Sequence, residues 1–170
     1  MRTVRRPATD AQRKALASGL RLRILRLCLD EPRTNREIAE RLGRHPATTL
    51  HHVRTLVDTG FLVAEPVRRG TRGSREIPYR ATRLSWALDV DDDAAPEVGA
   101  MLEAFLAEVR DVDLQQVRIA RLGLRLRPDE LEEFHGRLQE VLDEYQAREP
   151  SPDGEPLSVF LVIHPDAGRA

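Results

Sequence analysis

The sequence is poor in what covalent frameworks and catalytic centres are made from. It holds one cysteine, Cys28, in 170 residues, which excludes an internal disulfide and argues against a cysteine-based zinc site. Aromatic residues make up 4 % of the chain, so a core must come from Leu, Val, Ile and Ala, a set suited to helix packing. No run approaches the roughly 18 apolar residues of a membrane span. The basic start MRTVRRPATD leads into no apolar segment, so a secretory leader is not expected and the chain reads as cytoplasmic. There is no G-x-S-x-G, no phosphate-cradling glycine loop and no H-E-x-x-H. Cys28 lies between Leu27 and Leu29, a place for a buried small hydrophobe rather than a nucleophile. His135 and His164 lack further ligands at metal-binding spacing. No catalytic residue, metal or cofactor is expected.

What the chain does have is charge, 32 % of its residues, nearly balanced at a formal -1. The balance hides a split. Residues 1–90 carry 19 Lys/Arg against 9 Asp/Glu, and residues 91–170 carry 8 against 19. A basic half followed by an acidic half is the pattern of one lobe that meets a polyanion and another that does not.

The apolar spacing orders the elements. Residues 10–17 read as a helix broken at Ser18-Gly19, and 20–29 as a second, with Leu20, Ile24 and Leu27 on one side. Asp30-Glu31-Pro32-Arg33 interrupts it. Thr34 and Glu37 then form a capping box for a short helix bearing Ile38, Ala39 and Leu42, which Gly43 ends. The next helix begins at Pro46 and runs to Thr59, where Gly60 stops it. Its Thr49, Val53 and Leu56, joined by Val57, face the preceding helices, leaving Ala47, Thr48, His51 and Arg54 outward. Residues 61–64 read as a strand, 75–81 as its return, and the basic, glycine-containing 68–75 as the tip of that hairpin.

Asp91-Asp92-Asp93 and Pro96 mark a boundary. Beyond it, 97–112 reads as a helix whose Val98, Met101, Leu102, Phe105, Leu106 and Val109 form an apolar face too wide to stay exposed, and which should pack on the first lobe or on another subunit. The alternation over 117–126 favours a strand over a helical continuation. Pro128 opens a helix to about residue 147, and 157–163 is the clearest strand in the chain, expected to pair with 117–126, with another subunit, or both. The fold class is therefore α+β and mainly helical: a winged helix-turn-helix over 8–88, then a dimerisation and effector domain over 96–165 with two helices and a terminal strand.

The run LASGLRLRILRLCLDEPRTNREIAERLGRHPATTLHHVRTLVDTGFLVAEPVRRG, residues 16–70, resembles the winged helix-turn-helix of ArsR-type bacterial transcriptional regulators. The resemblance covers 10–85, in helix order, turn glycine, His-His pair and wing. It implies a homodimeric repressor that binds operator DNA, with an inverted repeat as its site and a small-molecule effector as its signal. The sequence departs from the family where serine is frequent and His45 and Leu50 stand here, and it lacks the cysteine pair of the metal sensors.

The candidate contacts follow from chemistry and position. Thr48 and His51 carry short polar groups suited to base edges in a major groove. Arg44 and Arg54 suit phosphates. Arg68, Arg69, Arg72 and Arg75 suit a minor groove or its flanking phosphates. His52, next to Val53, fits equally a phosphate donor or a hydrogen-bonded structural histidine. The alternative to a DNA-reading regulator is a winged-helix protein-interaction module that has lost specific DNA binding; an unused polyanion surface of this charge argues against it.

Overall fold

A computed structural model describes residues 5–70, 73–89 and 95–169. Contacts divide the chain into two compact units, Val4–Val112 and the remainder built from Asp113–Ala170. The MRTV start, Arg72 and the Asp91-Asp92-Asp93 stretch lie outside the described residues.

The first unit opens with strand β1 (Arg6–Pro7) and helices α1 (Asp10–Leu16) and α2 (Gly19–Leu27). Thr9 and Gln12 cap α1 reciprocally, and Ser18 accepts from the Arg21 amide to start α2, so the Ser18-Gly19 break is a helix-to-helix turn. Arg21 folds back and donates to the carbonyls of Ala15 (2.5 Å) and Lys14 (2.5 Å), a cation on the negative end of α1. Strand β2 (Arg33–Thr34) then leads into α3 (Asn35–Arg41) and α4 (Pro46–Asp58). The expected capping box is formed: the Glu37 amide donates to the Thr34 hydroxyl at 3.2 Å, and the Thr34 amide to the Glu37 carboxylate at 2.8 Å.

Both α3 and α4 end in the same motif. Gly43 has φ +60° and Gly60 φ +81°. The Gly43 and Arg44 amides donate back to Glu40 and Ala39, and the Gly60 and Phe61 amides to Val57 and Leu56. This pair of reversed bonds is the Schellman arrangement, and its left-handed residue is why glycine stands at each turn. At the second turn Phe61 and Leu56 are both fully buried, the apolar contact that usually accompanies the motif.

The wing follows. Strand β3 (Leu62–Ala64) pairs antiparallel with β6 (Pro78–Ala81), Leu62 opposite Ala81, and β4 (Arg68–Arg69) pairs with β5 (Arg75–Glu76). On its other side β6 takes β2, Arg33 opposite Tyr79. Residues 33–34, which the sequence offers only as part of a helix interruption, thus complete a three-stranded sheet of order β2-β6-β3. Two residues are too few for a period-two signal. A short 3-10 turn, Leu84–Ala87, carries the half-exposed Trp86, and β7 (Leu88–Asp89) pairs in parallel with β1. One core joins these parts: Ala15, Leu16, Ile24, Leu25, Cys28, Ile38, Val53, Leu56, Phe61, Leu62, Ala81 and Leu88. Cys28 is fully buried and burial pushes its thiol up to about 11, so it packs as a small hydrophobe.

Helix α5 (Ala95–Val109) also belongs to this unit. It lies on α2 and α1 through its small side, with Ala100 and Ala104 buried. Gly19 permits the close approach: a Cβ there would stand 3.2 Å from the Ala100 carbonyl oxygen and 3.0 Å from the Glu103 carboxyl carbon. An Arg26–Glu108 ion pair of 3.2 Å flanks the contact. Of the apolar face expected to pack on the first lobe or on another subunit, Val98, Met101, Leu102 and Leu106 are exposed and so are not covered by the first lobe, while Phe105 and Val109 are half-buried. Backbone proximity at a small-residue seam wins over side-chain area.

The second unit contains a 3-10 turn, Leu114–Gln116, and helix α6 (Pro128–Gln146), begun by Pro128 at its first position as expected. The strands expected at 117–126 and 157–163 are not formed: neither segment enters a strand ladder among the described residues. No described residue of this unit is buried, and Ile119 (83 %), Leu157 (86 %) and Val159 (68 %) are among the most exposed apolar side chains. Alternation marks where a strand can form, but a strand exists only where a neighbour takes its amides and carbonyls.

Candidate nucleic-acid interface

Helix α4 presents two unlike faces. Thr49, Val53 and Leu56 are buried in the core, whereas Arg44, just before the helix, and Thr48, His51 and Arg54 along it are exposed. Spacings of three and four residues put these on one side. The helix start is held on two counts. The amide of Ala47 donates to His45 Nδ1 at 3.2 Å, so His45 acts as the N-cap. The Asn35 side-chain amide donates to the Pro46 carbonyl at 2.9 Å, tying the start of α3 to the start of α4. His45, a departure from the resembled pattern, thus does the capping work of a serine. Leu50 is half-buried and offers no donor to a ligand.

Arg44 and Arg54 have no carboxylate within ion-pair distance among the described residues, nor do Arg69 and Arg75. In the wing, Val67, Arg68, Arg69, Gly73 and Arg75 line a depression of about 550 Å³. Three of the four wing arginines singled out in the sequence therefore share one concavity, while Arg72 lies outside the described residues. Arg69 stands directly opposite Arg75 in the ladder, a like-charge pair that an anion between them would relieve. Arg68 is differently placed, because its guanidinium pairs with the Glu37 carboxylate of α3. Burial raises the Glu37 carboxyl, but hydrogen bonds from Thr34 and the charge of Arg68 outweigh it and hold the group below the usual carboxylate range.

His52 departs from the other candidates. It is half-buried, and its Nδ1 is enclosed without a hydrogen-bond partner. Burial, then the charges of Arg21 and His51, lower its pKa; the two imidazoles stand edge to face, 5.6 Å apart. The folded chain therefore keeps His52 neutral at a pH where an unfolded chain, with its ordinary value of 6.5, takes up a proton. Stability is unaffected by this group above that value and declines as pH falls below it. Urea midpoints measured at about pH 7.5 and about pH 5.5 should show this decline, and His52→Gln should reduce it; an unchanged decline in the variant would assign it to other groups.

Sequence reasoning passed over two residues that position this surface, Gln12 and Asn35, and it named Glu37 for its cap but not for its tie to the wing. Gln12 is buried, accepts from the Thr9 amide and donates to the Thr59 carbonyl at the end of α4. Asn35 and Glu37 connect α3 to α4 and to the wing. The T-x-x-Q spacing was the available signal for Gln12, and nothing local signals Asn35. Among the described residues no cluster of three or more His, Cys, Asp or Glu is arranged to hold a metal, and no helix is long and apolar enough to cross a membrane.

Residues 16–69, from the last residue of α1 to the end of β4, match the protein family described as "Helix-turn-helix domain". Among solved structures, the chain is similar to reduced HlyU from Vibrio cholerae, at 20 % identity over 56 % of this chain and 84 % of that one, with a TM-score of 0.34. It is also similar to a ZitR variant from Lactococcus lactis, at 20 % identity over 76 % and 75 % with a TM-score of 0.35. A third is the MepR-DNA complex of S. aureus, at 16 % identity over 82 % of each chain with a TM-score of 0.30. Likeness at these levels establishes no shared activity. No curated protein is significantly similar in sequence.

Proposed function

We propose that this chain is a sequence-specific, double-stranded DNA-binding transcriptional regulator that reads the major groove with α4 and grips the flanking backbone with its wing. The observation that carries the reading is the outward face of α4. Arg44, Thr48, His51 and Arg54 are exposed there, on a helix whose opposite side is locked into the core and whose entry is fixed by His45 and Asn35. Thr48 and His51 take base edges, and Arg44 and Arg54 take phosphates. Arg68, Arg69, Arg72 and Arg75 serve the minor groove or its phosphates. His52, neutral and half-buried, serves as a structural support of α4.

The same proposal makes the chain a homodimeric repressor acting on an inverted repeat, with a small-molecule effector that alters the separation of the two α4 helices from the roughly 34 Å of one DNA turn. The exposed apolar face of α5 and the exposed apolar segments of 113–169 favour a second copy as their cover. Sedimentation of the full chain, alone and with duplex DNA, tests this part. Two chains per duplex support it, and a monomer at micromolar concentration with and without DNA removes the dimer from the account while leaving the DNA contacts to be judged separately.

A further inference from the structure

The role of Arg68 differs from that of its neighbours. In the ladder its cross-strand neighbour is Glu76, yet its guanidinium pairs with Glu37, which lies 31 residues earlier at the start of α3. Glu76 is directed over Gly70, where an added Cβ would stand 2.3 Å from the Glu76 carboxyl carbon. Among the described residues Glu37 is the one carboxylate at ion-pair distance from any arginine of the wing depression. Its two oxygens do separate work: Oε2 accepts the Thr34 amide at 2.8 Å and Oε1 meets Arg68. Both side chains remain about two-fifths exposed, 44 % for Arg68 and 40 % for Glu37. An ion pair so open to water is held weakly enough to exchange partners.

We infer that Glu37 is a latch for the wing: in the DNA-free protein its carboxylate occupies Arg68 and ties β4 to the helix-turn-helix, and on binding Arg68 exchanges that carboxylate for a DNA phosphate. The exchange leaves the Thr34 cap in place, because the cap uses the other oxygen. It makes Glu37 a positioning residue that tunes affinity by competing with the backbone, and it rests on the reading of the wing as a DNA-binding element.

Glu37→Gln separates the two jobs, since glutamine at this position of a capping box still accepts the Thr34 amide but carries no charge. With a mixed-sequence duplex, Glu37→Gln should bind about 2- to 5-fold tighter than the native chain, the size of one exposed ion pair. In an Arg68→Ala background that gain should vanish. Arg68→Ala itself should reduce the slope of log K against log salt by about 0.9, one phosphate contact. A gain that persists without Arg68 would show that Glu37 acts only as a generic negative charge and would overturn the latch. A second readout needs no DNA: tryptic cleavage within 68–75 should speed up by about 3-fold or more in Glu37→Gln, because the wing opens more often once untied. Unchanged cleavage overturns the latch, whereas faster cleavage with no duplex binding in any variant overturns the DNA reading and with it the exchange, leaving only the tie of Arg68 to Glu37 that restrains the wing.

Discussion

Replacing His51 with glutamate lowers affinity for duplex DNA by about 100-fold or more, equivalent to about 2.7 kcal/mol. The size follows from position. His51 is exposed on the face of α4 that carries Thr48 and Arg54, and a carboxylate there meets the phosphate field and the acceptor-rich groove edge at close range. Folding is little affected, because the exposed side chain makes no core contact beyond its edge-to-face approach to the half-buried His52 ring, and the backbone carbonyl that accepts from the Thr55 hydroxyl at 3.1 Å is unchanged by the substitution. The unfolding temperature should therefore move by no more than about 2 °C. Anisotropy titration against a fixed duplex, with thermal unfolding alongside, measures both. A loss of less than about 3-fold means that this face of α4 does not meet DNA.

Phe61→Ala has the opposite signature, a large cost in stability that reaches binding only through the fold. Phe61 is 1 % exposed; its amide closes the α4 terminus on Leu56 and its carbonyl accepts the Thr82 amide at 3.0 Å. Removing the ring should cost about 3–5 kcal/mol, from lost burial and the cavity left behind. The truncation strips the apolar half of the Schellman motif but keeps its hydrogen bonds. Gly60→Ala keeps the ring but forces a Cβ onto a φ of +81° and should cost about 1–2 kcal/mol. Urea unfolding of the two variants ranks these contributions. If Phe61→Ala cost less than Gly60→Ala, the join between α4 and the wing would be held by backbone geometry rather than by packing.

The parts of this fold legible in the sequence are those fixed by local chemistry. The Thr34–Glu37 box, Pro46 at a helix start, and Gly43 and Gly60 at helix ends each satisfy a stereochemical need within a few residues, and each appears where expected. The outward and inward faces of α4 followed from helical spacing for the same reason. What was not legible depends on partners distant in the chain. The side α5 presents to α2 is set by a close approach at a glycine about 80 residues earlier in the sequence, and of the two covers the hydrophobic pattern allowed, the first lobe or another subunit, the first is not used by Val98, Met101, Leu102 and Leu106. Strand β2 exists because β6 lies beside it, and 117–126 and 157–163 fail to form strands despite stronger patterns. Within the site, charge and spacing nominated Arg68 together with Arg69 and Arg75. Only the structure separates Arg68, tied to Glu37, from the other two.

Selection of bound duplexes from a random-sequence library by the full-length chain, followed by anisotropy titration of the enriched sequence at several salt concentrations, tests the central claim most directly. The account predicts an inverted repeat with half-sites about one helical turn apart, bound about 10³-fold or more above mixed-sequence DNA. Failure to enrich any motif, with binding that disappears by about 150 mM salt, would contradict it and leave only the electrostatic attraction of a basic lobe, as expected of a winged helix turned to protein interaction.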